Sequence, residues 1–238
     1  MNTKCVISPP FGHYIKFLPW ATPIRGTFTV IKRPGIIKNA VKTFRPAFDK
    51  KGWVNKMGLV NKGLMNMQPL NPNHIWSITA FSELDWFSIA SMIPSDVPLE
   101  ANVSCVNSNE IFINNKILQM LSSKFNWVSL KLPSNSISEA IDVYQLGRIN
   151  GIKVFHAGNT IKTPNGGLSG QEIKKVSLPV INKIRGEFPE AIIIGGGGIY
   201  SAKDVYDYKE AGADIFSLST ICMTPWKIPS VYKAIYKK

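Results

Sequence analysis

The stretch Ala191-Ile-Ile-Ile-Gly-Gly-Gly-Gly-Ile199 decides the fold. An uninterrupted run of β-branched apolar residues suits a strand buried on both faces, and such strands belong to parallel sheets covered by helices. The four glycines turn the chain tightly, and residues 201–211 then carry a helical pattern that stops at Gly212, a residue suited to a left-handed C-cap. Strand, turn and helix make one βα unit. Working outward, comparable short runs recur at 4–7, 53–57, 75–80, 99–103, 127–131, 153–156 and 215–218, with further helical patterns at 137–150 and 170–188. Together with 191–195 these make eight strands, which close into a single (β/α)8 TIM barrel, an α/β fold, over one domain of 1–238. An added β-hairpin near the N-terminus is expected from 27–31 and 41–44.

Composition narrows the chemistry. A chain of 238 residues with 45% apolar content buries one sizeable core. Its formal charge of +13, from 28 Lys and Arg against 15 Asp and Glu, attracts phosphates and anionic metabolites. The basic residues read as scattered and no nucleic-acid motif is present, so nucleic acid is not an expected partner. Cys5, Cys105 and Cys222 are odd in number and lack metal-ligand spacing, so neither a disulfide framework nor a metal is expected, and a reducing cytoplasm fits. Pro9, Pro10, Gly12, His13 and Lys16 interrupt the N-terminal segment before a signal-peptide core or membrane span forms, so no membrane partner is expected.

Parallel barrels keep their active sites where the carboxyl ends of the strands emerge. There, 53–57 delivers Asn55 and, after Gly58, Asn61; 99–103 delivers Asn102, Cys105 and Asn107. The strand over 127–131 ends in Lys131, and that over 153–156 runs into Asn159 and Thr160. Each amide both donates and accepts, so several at one mouth suit a flat ligand rich in carbonyls and N–H groups, such as a pyrimidine. The competing reading is that Asn favours turns. Cys105 is either a reactive thiol or a small buried hydrophobe, and its polar neighbours favour the thiol. The runs Gly166-Gly-Leu-Ser-Gly170 and Gly195-Gly-Gly-Gly198 each precede a helical pattern, where bare backbone N–H groups cradle phosphate, with Ser219 and Thr220 completing the cradle. Tight turns alone are the alternative. No Walker or dinucleotide fingerprint of the proper spacing is present.

The ordered set Gly52-Trp-Val-Asn-Lys-Met-Gly-Leu-Val-Asn-Lys-Gly63, Asn102-Val-Ser-Cys-Val-Asn107, Lys131-Leu-Pro133, Asn159-Thr160, Gly166 to Gly170, Gly195 to Ile199 and Ala211-Gly-Ala-Asp214 resembles the dihydroorotate dehydrogenase family. The resemblance runs from about residue 27 to residue 220, most of the chain. It implies an FMN-dependent oxidation of dihydroorotate to orotate in pyrimidine biosynthesis, of the cysteine-type, class 1-like kind. Cys105 then matches the base that takes the C5 proton while hydride passes from C6 to the flavin. Asn55, Asn102, Asn107 and Asn159 match the amides that hold the pyrimidine, with Thr160 beside them. Lys131 matches the lysine at the flavin ring, where a cation stabilises reduced flavin. Asn159, Gly170, Gly197, Gly198, Ser219 and Thr220 match cofactor-binding positions. A homodimer or an electron-transfer partner subunit is compatible with this, as is fumarate as acceptor. The N-terminal helical domain of quinone-using relatives is expected to be absent.

The chain departs from the family pattern at Gly26, where a lysine is usual and Arg25 stands adjacent as a substitute, at Val106 for proline, and at Ser219 for glycine. The segments 107–131 and 159–166 are shorter than usual. Two other readings stay open: an FMN barrel acting on another reduced pyrimidine or cyclic substrate, and a flavin-free anion-binding barrel.

Overall fold

The structure, a computed structural model, describes residues 3–14, 18–104 and 112–237. In chain order its elements are β1 (Cys5–Ile7), α1 (Phe11–Tyr14), β2 (Thr22–Phe28), α2 (Ile36–Thr43), β3 (Arg45–Ala47) and β4 (Gly52–Asn55). Then come β5 (Ile75–Ile78), α3 (Glu83–Met92), β6 (Leu99–Asn102), α4 (Asn115–Lys124), β7 (Val128–Leu132), α5 (Ile137–Ile149) and β8 (Val154–Ala157). The chain ends with β9 (Ile161–Thr163), β10 (Gly166–Gly170), α6 (Lys174–Glu187), β11 (Ile192–Gly196), α7 (Ala202–Ala211), β12 (Ile215–Leu218) and α8 (Ile228–Tyr236).

Local sequence explains where several helices begin and end. Ser82, Ser136 and Ser201 each accept a hydrogen bond from the backbone N–H of the acidic residue three positions on, at the starts of α3, α5 and α7. Asn114 does the same for Ile117 at the start of α4. Each satisfies one of the donors a helix start leaves free. Gly212 ends α7 in the left-handed conformation, as its position predicts.

The parallel strands β1, β2, β5, β6, β7, β8, β11 and β12 close a barrel in that order, with β12 returning to β1. Helices packed outside supply the alternation of parallel strand and crossover that the sequence pattern calls for. Successive strand residues point to opposite faces. Leu99, Ala101, Leu130, Leu132, Phe155 and Ala157 join the apolar layer shared with the helices. The residues between them point into the barrel, where Val6, Ile24, Ile75, Val154, Ile194 and Ile215 form a separate apolar plug. Further along the strands the interior turns polar, with Ser77, Glu100, Ser129, Lys131 and His156 all buried.

Three sequence expectations move. The second barrel position belongs to β2, and the run read as 53–57 is β4, part of a four-stranded antiparallel sheet ordered β3, β4, β10, β9. Pro23 and Gly26 disguise β2 as loop, since neither residue favours a strand interior. The strand accommodates Gly26 at φ 115° beside a register shift, and a Cβ there would run into the Ser77 carbonyl oxygen. The N-terminal hairpin exists but is built from β3 and β4, not from 27–31 and 41–44. Residues 41–43 lie in α2, whose Ile37 and Val41 are spaced one turn apart on an exposed face. Gly166 to Gly170, expected as a turn, is strand β10, pairing with both β4 and β9.

The interior plug sets the barrel's stability. Ile194→Ala removes a fully buried side chain from it and should cost about 2–5 kcal/mol, seen as a lower urea midpoint with an unchanged denaturant slope.

Candidate active site

Glu100 sits inside the barrel on β6 with no exposed surface, and three side chains converge on it. Oε1 accepts from Ser77 Oγ at 2.8 Å, and Oε2 lies 2.6 Å from His156 Nδ1. Lys131 Nζ stands 3.7 Å from Oε1, a charge contact longer than a hydrogen bond. Burial alone would push the Glu100 carboxyl up, but Lys131, His156 and the bonds from His156 and Ser77 hold it down, at about 2. Burial pushes His156 below its ordinary value despite the upward pull of Glu100, and Lys131 lowers it further. Glu100 is therefore a carboxylate and His156 a neutral imidazole near pH 7. A neutral ring facing a carboxylate at 2.6 Å carries its proton on Nδ1, which donates.

From Glu100 a single line of hydrogen bonds runs to the barrel mouth. Ser77 spends its proton on the carboxylate, so at 3.0 Å it accepts from Thr27 Oγ1. Thr27 accepts in turn from Asn102 Nδ2 at 3.0 Å, and Asn102 Oδ1 accepts from Asn159 Nδ2 at 3.1 Å. Asn159 Nδ2 also reaches Ser104 Oγ at 2.9 Å, and Asn159 Oδ1 accepts from the Thr160 N–H. The carboxylate can only accept, so it fixes the direction of every bond in the line and the way both amides face.

The mouth holds a cleft lined by Ser8, Lys131, Asn159, Thr160, Gly170, Gly197, Gly198, Ser217, Ser219 and Thr220, among others. One end is amide and cation, and the other is glycine backbone and hydroxyl. Tyr208, buried on α7, donates from its hydroxyl to the carbonyls of Gly196 and Gly197 at 2.6 and 2.8 Å, and burial raises its pKa so that the proton stays. The C=O and N–H of a trans peptide point in opposite directions, so the N–H groups of Gly197 and Gly198 face away from Tyr208. Gly197 has φ 100°, and a Cβ on it would strike Ile173, so this close turn demands glycine. Tyr200 donates to Thr220 Oγ1 at 2.6 Å, which orients the hydroxyl at the same end. These donors fit a phosphate, and the cation and amides fit a planar ring bearing carbonyl oxygens.

Of the residues picked from sequence, Lys131, Asn159, Thr160, Gly170, Gly197, Gly198, Ser219 and Thr220 line this one cleft, and Asn102 binds Asn159 directly. Asn55 lies on β4 opposite Gly167, outside the cleft lining. Cys105 and Asn107 lie outside the described residues. Asn61 serves its own loop, accepting from Gly63 N–H and donating to Leu59 O. Arg25 does not replace the family lysine in the cleft; it binds His13 O at 2.6 Å and His74 Nδ1 at 3.4 Å. Sequence reading missed Glu100, His156, Ser77, Thr27, Tyr200 and Tyr208. The signal for the first three was present: Leu-Glu-Ala-Asn, Val-Phe-His-Ala and Ile-Trp-Ser-Ile are buried strands whose polar residues fall only at alternating positions, which in a closed barrel point inward.

A family model described as Dihydroorotate dehydrogenase matches residues 124–238. The chain is similar to "Dihydroorotate dehydrogenase (quinone)" of Crocosphaera subtropica, 33% identical over 140 residues, which is 51% of this chain and 35% of that protein. It is also similar to "Dihydroorotate dehydrogenase B (NAD(+)), catalytic subunit" of Halalkalibacterium halodurans, 28% identical over 231 residues, 82% of this chain and 75% of that protein. The match thus spans about a third of the first relative's length and three quarters of the second's. Among solved structures, ligand-free DHODH from Eimeria tenella superposes with a TM-score of 0.73 over 89% of this chain and 75% of that one, at 17% identity, which shows a shared barrel fold.

The buried imidazole gives a pH signature. His156 is lowered in the fold, so below its ordinary value of 6.5 the unfolded chain takes up a proton that the folded chain refuses. Its contribution is therefore complete above about 6.5 and lost as pH falls towards the folded value. The urea midpoint should drop from about pH 7.5 to about pH 5, and His156→Asn should show a smaller drop, with His13 and His74 contributing equally to both proteins.

Proposed function

We propose that this chain is a member of the dihydroorotate dehydrogenase family, and that its cleft takes one FMN and serves the oxidation of dihydroorotate to orotate. The observation that carries the reading is the two-ended cleft: Lys131 and Asn159 at one end, Gly197, Gly198 and Thr220 at the other. In this reading the glycine N–H groups and the Thr220 hydroxyl hold the phosphate, and Tyr208 and Tyr200 keep them turned towards it. Lys131, which lines the cleft, would supply the cation at the ring end. Asn159, which lines the cleft and is oriented through Asn102 by the bond line from Glu100, faces the pyrimidine in a fixed orientation. FMN held there would supply the acceptor for the hydride from C6. Cys105 takes the proton from C5, a role assigned from its place three residues past the amide-bearing end of β6 and from its match to the family's base. The electron acceptor and any partner subunit follow the relatives only by name, and a cytoplasmic location accords with the finding that no helix among the described residues is long and apolar enough to cross a membrane.

Acid extraction of the purified protein should release FMN, identified by mass, and dihydroorotate should bleach the bound flavin without oxygen. Recovery of FAD, or a colourless protein that FMN does not reconstitute, would sink the cofactor assignment. Cys105→Ala should keep flavin and still bind orotate, yet slow anaerobic flavin reduction at least about a hundredfold, the loss expected for a positioned base. An undiminished rate would make Cys105 a packing residue. Lys131→Ala should weaken FMN retention and make the flavin potential more negative, because the cation that favours the reduced anion is gone.

A further inference from the structure

His156 has no place in the chemistry described so far, although it is wholly buried and bonded to the carboxylate that faces Lys131. The two oxygens of Glu100 are used unequally. Oε2 is held by His156 Nδ1, whereas Oε1 is shared between Ser77 at 2.8 Å and Lys131 at 3.7 Å. A carboxylate free to turn would present both oxygens to the ammonium and close to hydrogen-bond distance, since a tight charge-assisted pair is the better arrangement in a dry interior. His156 ties one oxygen to β8 and so keeps the pair open. Lys131 consequently stands in the cleft wall as a cation only partly matched by its counter-ion.

We propose that His156 is a positioning residue: by holding Glu100 it keeps Lys131 half-paired, and so sets how much positive charge the cleft offers to an electron-rich ring. This rests on the flavin reading above. The charged and titratable groups facing His156 are Glu100 and Lys131, with Ser77 on the far oxygen of the carboxylate. Loss of the His156 donor lets Glu100 collapse onto Lys131 and withdraws positive charge from the cleft. Loss of the Glu100 charge does the opposite and leaves Lys131 unmatched. The two substitutions must therefore move the bound flavin in opposite directions, which a packing role does not produce.

The test measures the midpoint potential of FMN in the holoproteins. His156→Phe keeps a ring but no donor and should shift it negative, by on the order of tenfold in the preference for reduced over oxidised flavin, about 30 mV for a two-electron couple. Glu100→Gln should shift it positive. His156→Asn, whose amide places a donor near the position of Nδ1, should restore the parent potential. Equal potentials in His156→Phe and the parent, or shifts of one sign in His156→Phe and Glu100→Gln, overturn the proposal. Should His156→Phe not fold, Glu100→Gln must still shift positive and His156→Asn must still match the parent. A flavin-independent measurement stands beside these: nitrogen NMR of the flavin-free protein should show His156 protonated on Nδ1 and uncharged at pH values near 7. The Nε2–H form, or a charged ring there, overturns the bond to Glu100. A protein that takes up no flavin at all refutes the cofactor reading instead, and the tautomer then decides the His156 bond separately.

Discussion

A single negative charge, Glu100 inside a closed barrel, is the constraint around which the rest of the site is arranged. An isolated buried carboxylate is untenable, because desolvation costs several kcal/mol even after relaxation, on the order of what a whole domain has to spare. It persists here because three strands each supply a partner: Ser77 from β5, Lys131 from β7 and His156 from β8. Being an acceptor only, it then dictates proton direction through Ser77 on β5, Thr27 on β2 and Asn102 on β6 to Asn159 just after β8, all in one sense. Two amides that would otherwise flip freely acquire fixed donor and acceptor ends. The charge also gives the buried Lys131 ammonium a counter-ion inside the barrel.

The opposite end of the cleft is organised without any charge. Backbone carbonyls of Gly196 and Gly197 are drawn outward by Tyr208, which frees the following N–H groups for the other side. The tyrosine is reached from α7, whose start is fixed by Ser201 and whose end is fixed by Gly212. A helix cap thus aims a hydroxyl, and the hydroxyl aims peptide planes.

How much of this the sequence disclosed follows from the physics of each signal. Buried strands that are apolar throughout, such as β11, and helices with Ser at one end and Gly at the other, such as α7, are legible because propensity and tertiary role agree. Strand β2 was hidden because Pro23 and Gly26 obey a bulge and not a pleat, while β4 looked like a barrel strand because its apolar content is set by partial burial over the mouth. The glycines, Lys131, Asn159 and Thr220 were found because strand ends in barrels are where sites lie. Glu100 and His156 were passed over although both are ordinary strand residues by position. A charged residue in a strand is read as solvent-facing, and only knowledge that both faces of β6 and β8 are covered turns it into an interior one.

Charge placement shows the same dependence on topology. The basic residues looked dispersed, yet residues 31–66 hold nine Lys and Arg against a single Asp. The fold brings that segment to the mouth, since β4 within it pairs with β10, which carries Gly170 into the cleft wall. These lysines are exposed, at Lys32, Lys38, Lys42, Lys50, Lys51, Lys56 and Lys62, so water and salt screen them within about 10 Å. Their reach suffices to enrich anions around the opening but not to act selectively on one atom inside it. Lys131 is a single charge in a buried setting where screening is weak. Many exposed cations and one buried cation therefore do different work: the first enrich anions around the opening, and the second, moderated by Glu100, sets a single weakly screened positive charge at the cleft.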